Sequence, residues 1–138
     1  MEEIKSFETI DVGARAENFR TITERDVELY AELTGDYNPV HVDKEYAAST
    51  RFGERVAHGL LTCGLLQHSL TELVAPGGVS LSYEFHLEKP VFLEDTVTAR
   101  AEVVDKSPER KLVRCRLQCV NQNGQAVVSG KALIKMLQ

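Results

Sequence analysis

Residues 59–74 run Gly59-Leu60-Leu61-Thr62-Cys63-Gly64-Leu65-Leu66-Gln67-His68-Ser69-Leu70-Thr71-Glu72-Leu73-Val74. A helix drawn through this stretch is apolar on more than one face, and such a helix is buried rather than laid on a surface. Pro76-Gly77-Gly78 stops it. Beyond that stop the hydrophobic period falls to two. Val79, Leu81, Tyr83, Phe85 and Leu87 alternate with Ser80, Ser82, Glu84 and His86. Val97, Ala99, Ala101 and Val103 alternate with Thr98, Arg100 and Glu102, and Val113, Cys115, Leu117 and Cys119 with Arg114, Arg116 and Gln118. Clean alternation predicts strands with one wet face, hence an antiparallel sheet. Ser107-Pro108 and Asn123-Gly124 supply turns. A less regular last strand is expected over 125–137, with Gly130 read as a bulge. The economical packing wraps this four-stranded sheet around the helix, giving an α+β fold.

Upstream, residues 14–22 read as a first strand. Thr23 reads as an N-cap with Asp26 three residues on. Val27, Tyr30, Ala31 and Thr34 then recur at helical spacing, and Gly35 ends that helix. Asp43 caps a short helix over 44–50. The predicted sheet leaves an edge open, and open edges tend to be paired or covered, so a homodimer is expected.

A chain of 138 residues reads as one domain, 1–138. Its 43% hydrophobic and 27% charged residues suit a globular core rather than disorder. The net charge of −5 argues against a nucleic-acid partner. An anionic ligand would need a local basic rim; Arg51, Arg55 and Lys89 are candidates, although each reads first as surface solvation. Three cysteines (Cys63, Cys115 and Cys119) form no Cys-x-x-Cys pair. Cys115 and Cys119 lie about 13 Å apart along one strand, too far for a disulfide. They read as reduced core thiols. The acidic start Met1-Glu2-Glu3-Ile4-Lys5-Ser6 lacks the apolar run of a signal peptide, and no stretch approaches membrane-spanning length. The expected location is cytoplasmic.

Chemistry concentrates in Thr34-Gly35-Asp36-Tyr37-Asn38-Pro39-Val40-His41. Fully extended, the chain would hold Asp36 and His41 on the order of 17 Å apart. Pro39 fixes its own φ and biases Asn38 away from the helical region, and asparagine favours turns. A turn here folds a carboxylate and an imidazole towards one small volume. A base and an acid aimed at one water are what adding or removing water requires. Which of the two is base and which acid stays open, because coupled groups titrate as a pair. Asn38 reads as orienting the loop through its side chain, with direct substrate contact as a second role.

His58, His68 and His86 stand at separations that match no metal-ligand motif. His58 reads as a packing or loop residue and His68 as a hydrogen-bonded core histidine. No phosphate-cradling glycine loop and no Gly-x-Ser-x-Gly elbow is present.

The 34–41 stretch resembles the signature of the R-specific enoyl-CoA hydratases, the MaoC-like dehydratases. Arg51-Phe52-Gly53-Glu54-Arg55-Val56-Ala57-His58-Gly59-Leu60-Leu61 is similar to the family's second segment, and Lys89-Pro90-Val91-Phe92-Leu93-Glu94-Asp95-Thr96-Val97 to its third. The resemblance spans almost the whole chain from Phe19 onward. It implies the hotdog fold, a dimer, and reversible hydration of a trans-2-enoyl-CoA to the R-3-hydroxyacyl-CoA, with no metal and no redox cofactor. It further implies Asp36 and His41 as the acid–base pair and the Gly59 N–H as the donor to the thioester oxygen. Read alone, Gly59 is an ordinary helix-start glycine. The chain departs from the family pattern at the short linker Ala75-Pro76-Gly77-Gly78, at Tyr83 in place of a common glutamine, and at Glu94 in place of glycine. An inward-pointing Tyr83 would shorten the acyl pocket, so short chains are expected. Rival readings are a hotdog thioesterase, a dehydratase acting on acyl carrier protein thioesters, and a non-catalytic acyl-CoA-binding subunit.

Overall fold

The computed structural model describes residues 2–138. In chain order the elements are β1 (Arg15–Thr21), α1 (Glu24–Thr34), α2 (Pro39–Val42), α3 (Lys44–Ala48), α4 (Gly59–Gly64), α5 (Leu66–Val74), β2 (Gly78–Leu87), β3 (Thr96–Ser107), β4 (Leu112–Val120) and β5 (Ala126–Met136). The strands form one five-stranded sheet in the order β1-β3-β4-β5-β2, every pair antiparallel. The first strand thus joins the four expected from the alternation, alongside β3, and the sheet curls around α4 and α5. This is the hotdog arrangement.

Local chemistry sets the boundaries that matter for the site. Thr23 and Asp26 form a complete capping box on α1. Gly35 ends α1 at φ 79°, the left-handed conformation glycine adopts without strain. Asn38 caps α2, its side chain accepting the Val40 N–H, with Pro39 in the first turn. The Asn-Pro turn is therefore tighter than a simple loop. Asp43 closes α2 and caps α3 by accepting the Tyr46 N–H.

The central helix spans 59–74 as its composition predicts, but it is interrupted at Leu65. There the Leu65 N–H reaches the Thr62 carbonyl and the His68 N–H reaches the Leu65 carbonyl, three-residue bonds that tighten the turn. Cys63, Leu66, Leu70 and Val74 are buried against Val97, Ala99, Val113, Cys115, Leu117 and Ile134 of the sheet. The other face is open: Leu60 is 64% exposed, and Gln67, His68 and Thr71 are exposed. His68 is accordingly no core residue; it lies on this open face, 3.4 Å from Glu72.

Two further expectations change. The apolar alternation of β2 does not run on one face, because a bulge falls between Ser80 and Ser82. Ser80 opposes buried Ile134, whereas past the bulge Tyr83 opposes Ala132, Phe85 opposes Gly130 and Leu87 opposes Val128. Opposed residues share a face, so Val79, opposite Lys135, is turned away from the helix side that Tyr83, Phe85 and Leu87 occupy. Gly130 is not a bulge. Its register is continuous on both sides, and a Cβ there would collide with the Glu84 carbonyl of β2 and crowd Phe85. It is a site of close backbone approach.

Candidate active site

The loop from Gly35 to His41 is built from local bonds. The Asp36 N–H donates to Thr34 Oγ1 (3.2 Å), the Asn38 N–H to Asp36 Oδ1 (3.2 Å) and the Val40 N–H to Asn38 Oδ1 (3.3 Å). Asparagine and aspartate side chains close such turns on their own backbone. The Asn38 contacts are those of a loop organiser. His41 is half-buried, and its Nδ1 lies 2.8 Å from the Val56 carbonyl. A carbonyl oxygen only accepts, so Nδ1 carries the proton and Nε2 is left free for chemistry. The fold brings together the pair that the sequence singled out: an Asp36 carboxylate oxygen, a His41 ring nitrogen and a His58 ring nitrogen all lie within 4.8 Å of one another.

His58 is the residue that sequence reasoning undervalued. It is 2% exposed, and its ring centroid lies 4.0 Å from that of His41 and 4.6 Å from that of Tyr30. Its Nε2 lies 3.0 Å from the Asp36 carbonyl. Burial pushes its pKa below the ordinary 6.5, and His41 adds to this, against the opposing pull of the Asp36 carbonyl and carboxylate. It packs, as expected, but it packs against the His41 ring and the Asp36 backbone. The available signal was position: a histidine among apolar neighbours, directly before the buried helix. Tyr30 closes the stack, its hydroxyl pKa raised by burial first and by the Asp36 charge second. As ligands for a cation, the trio would need His58 to give up the Asp36 carbonyl or to present its buried Nδ1.

Beside His41 opens a cleft of about 400 Å³, lined by Asn38, His41, Gly59, Thr62, Leu87 and Val128 among others. Asp36 is exposed and meets the cleft through His41. Gly59 is the first residue of α4, where N–H groups lack intrahelical acceptors. A Cβ at Gly59 would run into the Leu87 side chain, so the missing side chain keeps this wall open. Thr62, unremarked in the sequence, is 1% exposed, and its hydroxyl has no partner among the described residues. Arg51 and Lys89 stand in the cleft wall. Arg55 does not; it pairs with Glu24 at 2.8 Å.

Tyr83 lies on the helix side, as expected, but outside this cleft. Its hydroxyl donates to Gln67 Oε1 (2.5 Å), and its ring stacks on Phe85 at 5.6 Å. Leu87 touches Gly59 while Tyr83 touches Gln67, so β2 and the central helix run side by side in opposite directions. Tyr83 thus stands about two helix turns beyond the Gly59–Leu87 contact, outside the cleft.

Comparison with known proteins identifies the family. The pattern of the MaoC like domain matches residues 6–123. The chain is 42% identical over 132 residues to a 3-hydroxybutyryl-CoA dehydratase of Methylorubrum extorquens, covering 94% of this chain and 83% of that protein. It is 39% identical over 129 residues to an (R)-specific enoyl-CoA hydratase of Rhodospirillum rubrum, covering 93% and 89%. The unliganded R-hydratase PhaJ1 from Pseudomonas aeruginosa superposes with a TM-score of 0.88 at 38% identity, covering 95% of this chain and 84% of that one.

Proposed function

This chain belongs to the MaoC-like dehydratase family, and from that premise we propose that it is a lyase that reversibly hydrates a trans-2-enoyl-CoA to the R-3-hydroxyacyl-CoA. One observation carries the reading: the Asp36 carboxylate and the imidazole of His41 approach within 4.8 Å at a cleft that Gly59 helps to line. A water held between the two loses a proton to the pair as its oxygen bonds the β carbon. The pair returns a proton to the α carbon, so it ends the cycle unchanged. Charge arriving on the thioester oxygen meets the Gly59 N–H, a contact of the kind whose loss typically costs about 10²–10³ in rate. Asn38 holds the loop, and Arg51 and Lys89 suit the phosphates of coenzyme A.

Short acyl chains are the proposed substrates, since the bulky Tyr83 is held on the helix side of β2 by its bond to Gln67. We also propose a homodimer. The β2 edge and the open helix face leave Leu60, Leu81, Tyr83 and Leu87 between 46% and 64% exposed, an apolar surface of the sort that a second copy covers. Three buried, unpaired cysteines are in keeping with a cytoplasmic location.

The test is purified protein with crotonyl-CoA, following loss of the conjugated-thioester absorbance and the stereochemistry of the product. Asp36→Asn and His41→Gln should each lower kcat by about 10²–10⁴ with the fold intact. Release of free thiol would mark a thioesterase instead, and full activity in either variant would remove the acid–base assignment.

A further inference from the structure

The Asp36 loop is exposed and bonded almost entirely to itself. Among the described residues, the contact from His58 Nε2 to the Asp36 carbonyl is the one bond that ties residues 35–38 to a distant part of the chain. The same ring packs against that of His41, with centroids 4.0 Å apart. We propose that His58 is a positioning residue for the hydration step, holding the Asp36 backbone and the His41 ring in the mutual arrangement at which they share one water. This rests on the reading of Asp36 and His41 as the acid–base pair.

Volume alone does not account for this imidazole. Its Nδ1 is buried with no partner among the described residues. Leaving such a group unsatisfied is destabilising, and a leucine would fill the space without that cost. What leucine cannot supply is an N–H at the Asp36 carbonyl. That carbonyl only accepts, so His58 carries its proton on Nε2, and burial keeps the ring neutral. A neutral ring suits the place, because an imidazolium 4.0 Å from His41 would repel positive charge there. The charged and titratable groups that surround it are Asp36, His41 and Tyr30. The Asp36 backbone and the His41 ring thus both lean on one rigid plate at the mouth of the central helix. A loop without that tether samples other positions, and a misplacement of about 1 Å can cost on the order of 10² in rate.

Glutamine and asparagine separate tether from packing. A glutamine amide nitrogen sits roughly where Nε2 does; an asparagine amide nitrogen sits where Nδ1 does. His58→Asn and His58→Leu should lower kcat on crotonyl-CoA about 10²-fold with KM changed less than about threefold, while His58→Gln stays within about tenfold of the parent. Equal kcat in the Gln and Asn variants, or a loss that follows thermal stability rather than the side-chain nitrogen, would overturn the proposal. Nitrogen-15 NMR of the unmutated protein needs no variant to fold: the expected state at pH 7 is neutral with the proton on Nε2, and a proton on Nδ1 or a charged ring sinks the idea. An unmutated protein that leaves crotonyl-CoA untouched would instead bring down the acid–base reading, so the two failures are told apart.

Discussion

Thr62 holds a hydroxyl that is buried, unpartnered among the described residues and part of the cleft wall. A polar group in that condition is a stability cost unless a bound molecule satisfies it. Thr62→Val keeps the shape and removes the hydroxyl, so unfolding in urea should require about 1 kcal/mol more free energy. A destabilised valine variant would mean that the hydroxyl already has a partner. His58 makes a second prediction, with a definite sign. Its folded pKa is depressed, so below the ordinary 6.5 the unfolded chain binds the proton that the folded chain refuses. Its contribution to stability is therefore complete above that value and is lost as pH falls from about 6.5 towards the folded pKa. His58→Gln should flatten the fall in denaturation midpoint between pH 7 and pH 5; an unchanged slope would reject this. Asp36 and His41 were legible in the sequence because one turn joins them. His58 and Thr62 were not, because their roles come from a ring stack and a cavity wall that no local pattern encodes.

At the scale of elements, periodicity located the strands and the central helix, since apolar spacing reflects burial directly. Val113, Cys115, Leu117 and Cys119 are buried in β4 as their alternation requires. β2 defeated the same rule. One extra residue at Leu81 reverses the faces, and Val79 before the bulge with Tyr83, Phe85 and Leu87 after it looks like unbroken alternation. The helix hid its open face because Leu60, Gln67, His68 and Thr71 are scattered among buried apolar residues, and composition alone does not separate the faces. Glu94 is a case where family resemblance and geometry meet. It stands where the family pattern has glycine, and its φ is 73°. The left-handed conformation costs a residue with a Cβ roughly 1–2 kcal/mol, so Glu94→Gly should raise the thermal midpoint without altering turnover. A fall in midpoint would show that Glu94 makes a compensating contact.

For the molecule as a whole, the site and the unfinished sheet edge are one question. The Asp36 carboxylate is exposed, yet proton transfer between fixed groups works best where water is excluded. Leu87 lines the cleft at Gly59 and is itself 62% exposed on the edge strand. A chain that covered β2 would therefore also roof the cleft. A second copy offers a self-complementary surface, with open backbone N–H and carbonyl groups along β2 and apolar side chains beside them. Lysines on an edge strand block such pairing, because their charge would have to be buried in the joint. Val79 faces away from the helix side, and neither Val79 nor Leu81 lines the cleft, so lysine at both positions tests the edge while leaving the cleft wall intact. Sedimentation equilibrium should find the parent protein as a dimer and the Val79→Lys/Leu81→Lys variant as a folded monomer, with kcat/KM on crotonyl-CoA reduced at least about tenfold by the opened site. A parent protein that sediments as a monomer at full activity, or a monomeric variant that turns over as fast as the parent, would mean that each chain closes its own cleft.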